Sequence, residues 1–388
     1  FDDKERGAAI GTWSGFSAIT TAIGPVLGGW LVESVSWRAV FFINVPLALL
    51  VLVVSAKHID ESRDPSRSGR VDWTGAILGI LGLSGLVLGL LEWPPLGTTH
   101  PLVVAALIVG VVSLALMLFV ESRAKSPMLS LALFKSRTFS LANGLTLVLY
   151  AALSVMMFLL PLNLIQVQGY SATAAGASIL PFPIIMFVLS RWSGGLVARV
   201  GSRLPLTIGP AVAAGGLLLL ARPGVGASFW TSFFPAVVVL GIGMAITVAP
   251  LTTTVMSSAD QSHSGAASGI NNAVSRIGGL LAIAVVGVML SSVFGSRMGD
   301  RLKAIPLSAE ARANVARELP KMAGMKLDSL PGMTAAERPA VKAAVDDSFI
   351  AAFRLAMIVA AALALLAAIT GFAIIDGSKS APRRKQKS

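Results

Sequence analysis

The sequence predicts an all-α polytopic membrane protein, and three observations carry that prediction. Of its 388 residues, 55% are hydrophobic and only 13% charged, with a mean hydropathy of +0.79, so the bilayer must be its solvent. Ten apolar runs are long enough to cross a hydrocarbon core of roughly 30 Å. Lysine and arginine alternate in density between successive connections, as they do when one side faces the cytoplasm.

In order, the ten runs cover approximately 8–32, 37–55, 72–92, 101–121, 139–162, 172–197, 204–222, 229–256, 266–294 and 348–376. The first opens after FDDKERG, a charged approach with neither the apolar core nor the cleavage site of a signal peptide. Starting on Phe1 rather than methionine, the chain reads as a fragment. Within this run stands TTAIGPVLGGW, residues 20–30. Pro25 frees a backbone carbonyl, while Gly24, Gly28 and Gly29 withdraw side chains so that another helix can approach closely. The expected partner is the run at 172–197, kinked by Pro181 and Pro183. In the second run, Asn44 is placed to satisfy backbone groups loosened by Pro46. The third begins at DWTG, residues 72–75, and the fourth follows a short turn.

On the fifth run, Asn143, Thr146, Tyr150, Ser154 and Met157 recur at three to four residues and share one helical face. Such a face is unfavourable against acyl chains, so it turns into the bundle or lines a cavity for a small molecule; interhelical hydrogen bonding is the plainer alternative. Asn163, Gln166 and Gln168 fall near the far end of that run. After the sixth run, SGGLVARVGSR at 193–203 places Gly195, Arg199, Gly201 and Arg203 in a tight basic turn, suited to gating or simply to anchoring. Arg276, about eleven residues into the ninth run, is read as the one charge deep within a span and needs a partner, with Asn271 and Asn272 or carbonyls near Gly278 and Gly279 available. Glu33, Asp72, Glu92, Glu121, Asp346 and Asp347 fall near the interfaces, where charged heads reach water. The connection 295–347 contains a surface helix at 308–320 that reads as an outer cap.

Cytoplasmic placement of the ends follows from Lys57, Arg63, Arg67, Arg70, Arg123, Lys125, Lys135, Arg137, Arg199, Arg203 and the basic tail 379–388, against only Arg38 and Arg222 in the short outer connections. The net charge of +12 is therefore a topology signal, not a nucleic-acid footprint. With no cysteine, and with His58, His100 and His263 in separate connections, neither a disulfide nor a metal cofactor is expected.

The segment RGAAIGTWSGFSAITTAIGPVLGGWLVESVSWRAVFFINVP, residues 6–46, resembles the fifth and sixth helices of a major facilitator superfamily drug:proton antiporter. GPVLGG resembles that family's antiporter motif, with Thr20 where glycine often stands, and SGGLVARVGSR resembles its cytoplasmic gate loop, with Ala198 where aspartate often stands. SWRAVFFINVP and the DWTG start point to the fourteen-helix multidrug efflux branch. The resemblance implies a division into 1–56, the last two helices of an N-terminal half; 57–138, two linking helices; 139–378, a six-helix C-terminal half; and the tail. It also implies that about four helices precede Phe1 and hold the acidic proton carrier that the ten runs lack. GAAIG at 7–11 and GAASG at 265–269, each opening a long run, fit an internal repeat. The activity implied is proton-coupled export of lipophilic or cationic small molecules by alternating access, from the cell membrane and as a monomer, without an enzymatic step. A carrier of another class, such as an antibiotic or metabolite made by the cell, is the alternative. A channel lacks a filter segment here, and a membrane enzyme lacks clustered histidines or carboxylates.

Overall fold

A computed structural model describes residues 23–58, 72–124, 131–259 and 264–374. Helix α1 covers 23–34 and α2 covers Ala39–His58. They are followed by α3 (Trp73–Leu96), α4 (Pro101–Arg123), α5 (Arg137–Gln166), α6 (Ala172–Ala177), α7 (Pro181–Gly194) and α8 (Leu196–Val200). The chain continues through α9 (Arg203–Leu220), α10 (Phe234–Ser257), α11 (Ser264–Lys303), α12 (Ala309–Glu318) and α13 (Arg338–Phe372). Nine helical spans among the described residues are long and apolar enough to cross a membrane, α6 and the start of α7 together making one of them. The first expected run lies mostly in residues 1–22, outside the described residues, as do GAAIG, Thr20 and the basic tail.

Helix starts follow capping chemistry. Asp72 accepts from Gly75 N at 2.8 Å, Ser136 from Phe139 N at 3.3 Å, Ser171 from Ala174 N at 3.1 Å and Ser308 from Ala311 N at 3.0 Å. Each satisfies an N–H that the first turn leaves without a partner.

Six helices form the main bundle. α5 packs between α11 and α13, α9 between α10 and α13, and α7 against α10. Lipid tails are as apolar as leucine, so close backbone approach rather than hydrophobicity must hold such helices together. The α9–α10 seam is built that way: a Cβ on Gly216 would sit 2.6 Å from Leu240 N, and one on Gly243 would meet Gly209 O at 2.7 Å. Helix α13 turns a run of small residues inward, with Ala352, Ala356, Ala360 and Ala364 buried, which lets it touch α5, α9 and α11 at once. Helices α3 and α4 form an antiparallel hairpin on glycines: a Cβ on Gly85 would meet Ala106 O and Gly110 N, each at 2.7 Å. The hairpin leans on α11 through α3.

Three expected boundaries are corrected. The run 172–197 is not one kinked helix, because a turn at 178–180 separates α6 from α7 and Pro181 starts the second helix, where its missing N–H is harmless. Helix α11 continues to Lys303 and α13 begins at Arg338, beyond the 266–294 and 348–376 estimates. The extensions are polar enough to leave lipid, yet they hold together by burying Phe294, Met298, Leu302, Val341 and Val345 beneath the segment 304–337. That segment contains the expected surface helix as α12, and it contributes Ala311, Val315, Met325, Leu327 and Met333 to the same core. Arg301 bridges to Asp347 at 2.8 Å, joining α11 to α13 below it. This side of the bundle is the cap end; Arg203 and Phe372 mark the open end.

Candidate functional site

Helix α1 meets α6 through backbone. A Cβ on Gly29 would lie 2.5 Å from Ala172 O and 3.0 Å from Thr173 Cα, and a Cβ on Gly176 would overlap the carbonyl of Pro25. The C-terminal end of α1 adds a polar tie: Glu33 accepts from Thr173 N at 3.2 Å and from the Thr173 hydroxyl at 2.5 Å. These bonds hold the Glu33 carboxyl below the usual carboxylate range, the hydroxyl contributing most. Gly24 and Gly28 have nothing within 4 Å of where a Cβ would stand. Two of the four motif residues thus make the contact, and the partner's own Gly176 completes it.

The polar face of α5 divides. Asn143 and Thr146 are buried against α11, where Asn271 donates to Asn143 Oδ1 at 3.2 Å and to Thr146 Oγ1 at 2.7 Å. Gly278 lets the same helix approach Leu147 O, and Gly279 faces the Ser154 hydroxyl. Tyr150, Ser154 and Met157 are half-buried, so the face is a hydrogen-bonded seam near the open end and a partly open surface towards its middle. Asn271 is therefore committed to α5 and not to Arg276, while Asn272 donates to its own Ser268 O. Arg276 is exposed, and no described residue pairs with it.

At the open end, Gly201 adopts φ +78°, a left-handed conformation that glycine takes without strain, and turns the chain from α8 into α9. Arg203 lays its guanidinium 3.9 Å from the ring centre of Phe372, at the end of α13. That contact lies within the bundle, not across a mouth. Gly195 ends α7, and Arg199 is exposed beyond it. Ser193 donates to Ala245 O at 2.5 Å and fixes α7 to α10 just before the turn.

Sequence reasoning misplaced two charges. Glu121 is only 2% exposed, enclosed beside Gly75 and Asp72 at the α3–α4 crossing, because the glycine seam brings the helices too close for its head to reach water. Arg354 was passed over: it lies within the expected 348–376 run, and its Nε donates to Ala221 O at 2.9 Å, closing the C-terminus of α9. Gln168, near the far end of the fifth run, is structural; it donates to Gly224 O and accepts from Gly226 N, both at 2.9 Å. The glycine recurrence at 75, 82 and 89 was the available signal for the α3–α4 seam.

Long apolar helices joined by small-residue seams around a polar, partly open face define a multi-pass membrane transport protein. Residues 1–283 match the family model described as Major Facilitator Superfamily. The chain belongs to that family. It is 32% identical over 309 residues to the multidrug resistance protein Stp of Mycobacterium tuberculosis, covering 78% of this chain and 56% of that protein. Over 330 residues it is 33% identical to the tetracenomycin C resistance and export protein of Streptomyces glaucescens, covering 83% and 58%. The multidrug transporter MdtP of Bacillus subtilis is 28% identical over 342 residues, covering 85% and 60%. The chain thus spans somewhat over half the length of these relatives.

Proposed function

We propose that this chain forms much of the pathway of a proton-driven exporter of lipophilic small molecules, cations among them, working by alternating access in the cell membrane. The observation that carries the reading is the asymmetry between the two ends. At the cap end α1 and α6 touch backbone to backbone and Glu33 ties them. At the open end Asn272 and Arg276 of α11 are exposed among the described residues. A carrier sealed on one side and open on the other has this arrangement, and exchange between the two is rocking of helix groups about a central cavity.

The distribution of lysine and arginine supports an open end facing the cytoplasm and a cap facing the outside. Pro25, Gly29 and Gly176 then form the outer seal, Gly24 and Gly28 leave room beside it, and Tyr150, Ser154 and Met157 offer adaptable apolar and hydroxyl contacts to a substrate. Gly195, Arg199, Gly201 and Arg203 serve the inner gate, with Arg203 held in place at its edge by Phe372. The names of the relatives support export of drugs or antibiotics as the activity.

The test is accumulation of a lipophilic fluorescent cation in cells expressing the complete reading frame that carries these residues, with and without an uncoupler. Proton-driven export gives low accumulation that the uncoupler abolishes. Equal accumulation in expressing and control cells refutes the reading.

A further inference from the structure

The connection between α9 and α10 holds a cavity of about 370 Å³, towards the small end of the roughly 300–1,000 Å³ range of small-molecule sites. Leu219 and Pro235 supply apolar walls, Arg222, Thr231 and Ser232 polar ones, and Gly224 lies at the turn. The chain around the cavity is held from two sides. Gln168, at the end of α5, bonds both Gly224 O and Gly226 N, and Arg354 of α13 donates to Ala221 O. Gly226 makes the reversal with φ +75°. The shape of the recess is therefore set before anything enters it.

Its polar groups are not used by the protein. Arg222 pairs with no carboxylate among the described residues, and the stretch 221–235 contains no aspartate or glutamate. The acids of α13 on this side are engaged elsewhere, Asp346 by Lys342 and Asp347 by Arg301. Deeper in α10, Thr247 and Thr254 donate back to Gly243 O and Pro250 O, as span hydroxyls ordinarily do. Thr231 and Ser232, in the wide turn Phe229–Phe233 that precedes α10, make no side-chain hydrogen bond among the described residues. A cation and two hydroxyl donors line one recess with no acid to offset them, and the complement of that lining is an oxyanion.

The surroundings say which oxyanion. Both neighbours of the short connection are membrane spans, so the recess stands at the level of the lipid headgroups. Phe229, Trp230 and Phe234 form an aromatic cluster with ring centres 5.2 to 6.1 Å apart, and Trp230 is 70% exposed, as a tryptophan anchored at a membrane interface is. Leu218 and Val225 of the same segment are exposed and offer apolar surface to an acyl chain. A headgroup bearing an ammonium finds no carboxylate in this lining and meets Arg222 instead.

The geometry points to a phospholipid site at the α9–α10 connection, taking an anionic phosphate diester with a hydroxyl-bearing headgroup, of which phosphatidylglycerol is the simplest case. Arg222 holds the phosphate, Thr231 and Ser232 bond its oxygens or the headgroup hydroxyls, and Trp230 lies against the ester region. Because Gln168 and Arg354 tie the connection to α5 and α13, the bound lipid braces the ends of several helices at once. This inference does not depend on what the carrier exports.

The test uses the complete protein purified in neutral detergent and given equal amounts of phosphatidylglycerol and phosphatidylethanolamine, with retained lipid counted by native mass spectrometry. Basic residues at the other end also attract anionic lipid, so the quantity read is the difference between proteins. Wild type is expected to keep one more phosphatidylglycerol than R222Q, which should bind that lipid about tenfold more weakly, with R222K partly restoring it. T231V combined with S232A leaves the cation in place and is expected to weaken binding about fivefold, which keeps the site testable should R222Q not fold. In parallel, the midpoint of thermal unfolding is measured with phosphatidylglycerol, inorganic phosphate or glycerol 3-phosphate, and only the lipid is expected to raise it in a manner that depends on Arg222. Three results overturn the inference: equal retention of phosphatidylglycerol by wild type and every variant that folds; phosphatidylethanolamine filling the Arg222-dependent site as well as phosphatidylglycerol does; or protection by inorganic phosphate or glycerol 3-phosphate equal to that of the lipid, which would make the recess a site for a free anion.

Discussion

Substitution of Gly176 by alanine tests the α1–α6 contact most directly. The new methyl would stand 2.8 Å from the Pro25 carbonyl carbon and closer still to its oxygen, whereas ordinary contact begins near 3.4 Å, so the helices must part by about 0.6 Å or more. No side chain can rotate out of the way, because the obstacle is backbone. Alanine in place of glycine favours helix α6 by about 1 kcal/mol, but overpacking against a fixed neighbour costs about 1–3 kcal/mol, and the clash acts only in the state where α1 and α6 touch. The closed cap end should therefore lose ground by up to roughly 2 kcal/mol, or about thirtyfold in the ratio of closed to open. The sequence contains no cysteine, so a single A172C, half-buried at the start of α6, serves as the reporter at the mouth. Its labelling by a membrane-impermeant maleimide should accelerate in G176A and in G29A but not in G24A or G28A, whose positions are empty. Equal labelling rates in all four variants would show that the contact does not seal the mouth.

Four other outcomes follow from the geometry. Glu33 has its carboxyl held low in the folded protein, so its tie to Thr173 is fully present above the ordinary value of 4.5 and is lost as external pH falls through the lowered one; A172C labelling should be flat from neutral to mildly acidic pH and rise only below it, while E33Q raises it throughout. Replacing Asn271 by leucine removes the bonds to Asn143 and Thr146 and should cost about 0.6–1.7 kcal/mol, read as a lower midpoint of thermal unfolding in detergent, with a T146V double-mutant cycle isolating the Thr146 share. G85L should separate α3 from α4, since Ala106 O and Gly110 N already stand 2.7 Å from a single added carbon; cross-linking of engineered cysteine pairs across the hairpin reports it. R354Q should uncover Ala221 O and cost about 1 kcal/mol, checked by faster hydrogen exchange at the end of α9.

The number and type of helices were legible because each apolar run must satisfy its own backbone in lipid, and only a helix does so within one segment. Their true ends were less so: α11 and α13 leave the membrane as helices, and hydropathy marks where lipid stops, not where hydrogen bonding stops. Pro25 and Gly29 could be chosen from sequence as contact residues, yet Gly24 and Gly28 carry the same signature and point elsewhere, because rotation about the helix axis is set by the partner. On α5 the spacing placed Asn143, Thr146, Tyr150, Ser154 and Met157 on one face, but it could not show that Asn271 would occupy the first two and leave the rest half-buried. Arg203 and Phe372 are 169 positions apart, and no local pattern links them.

Helix α11 carries a mechanical consequence. Its 40 residues make a rod of roughly 60 Å at about 1.5 Å per residue, near twice the thickness of the hydrocarbon layer. One half bears Asn271 and Arg276, and the other is clamped into the domed segment around α12 by Phe294, Met298 and Leu302. A tilt of ten degrees or so about the rod's midpoint would swing each tip by about 5 Å, as a beam pivots on a fulcrum. Under the proposed rocking mechanism the dome is a handle at the end of the rod away from Asn271, and a binder that grips it is expected to arrest the stroke without entering the passage.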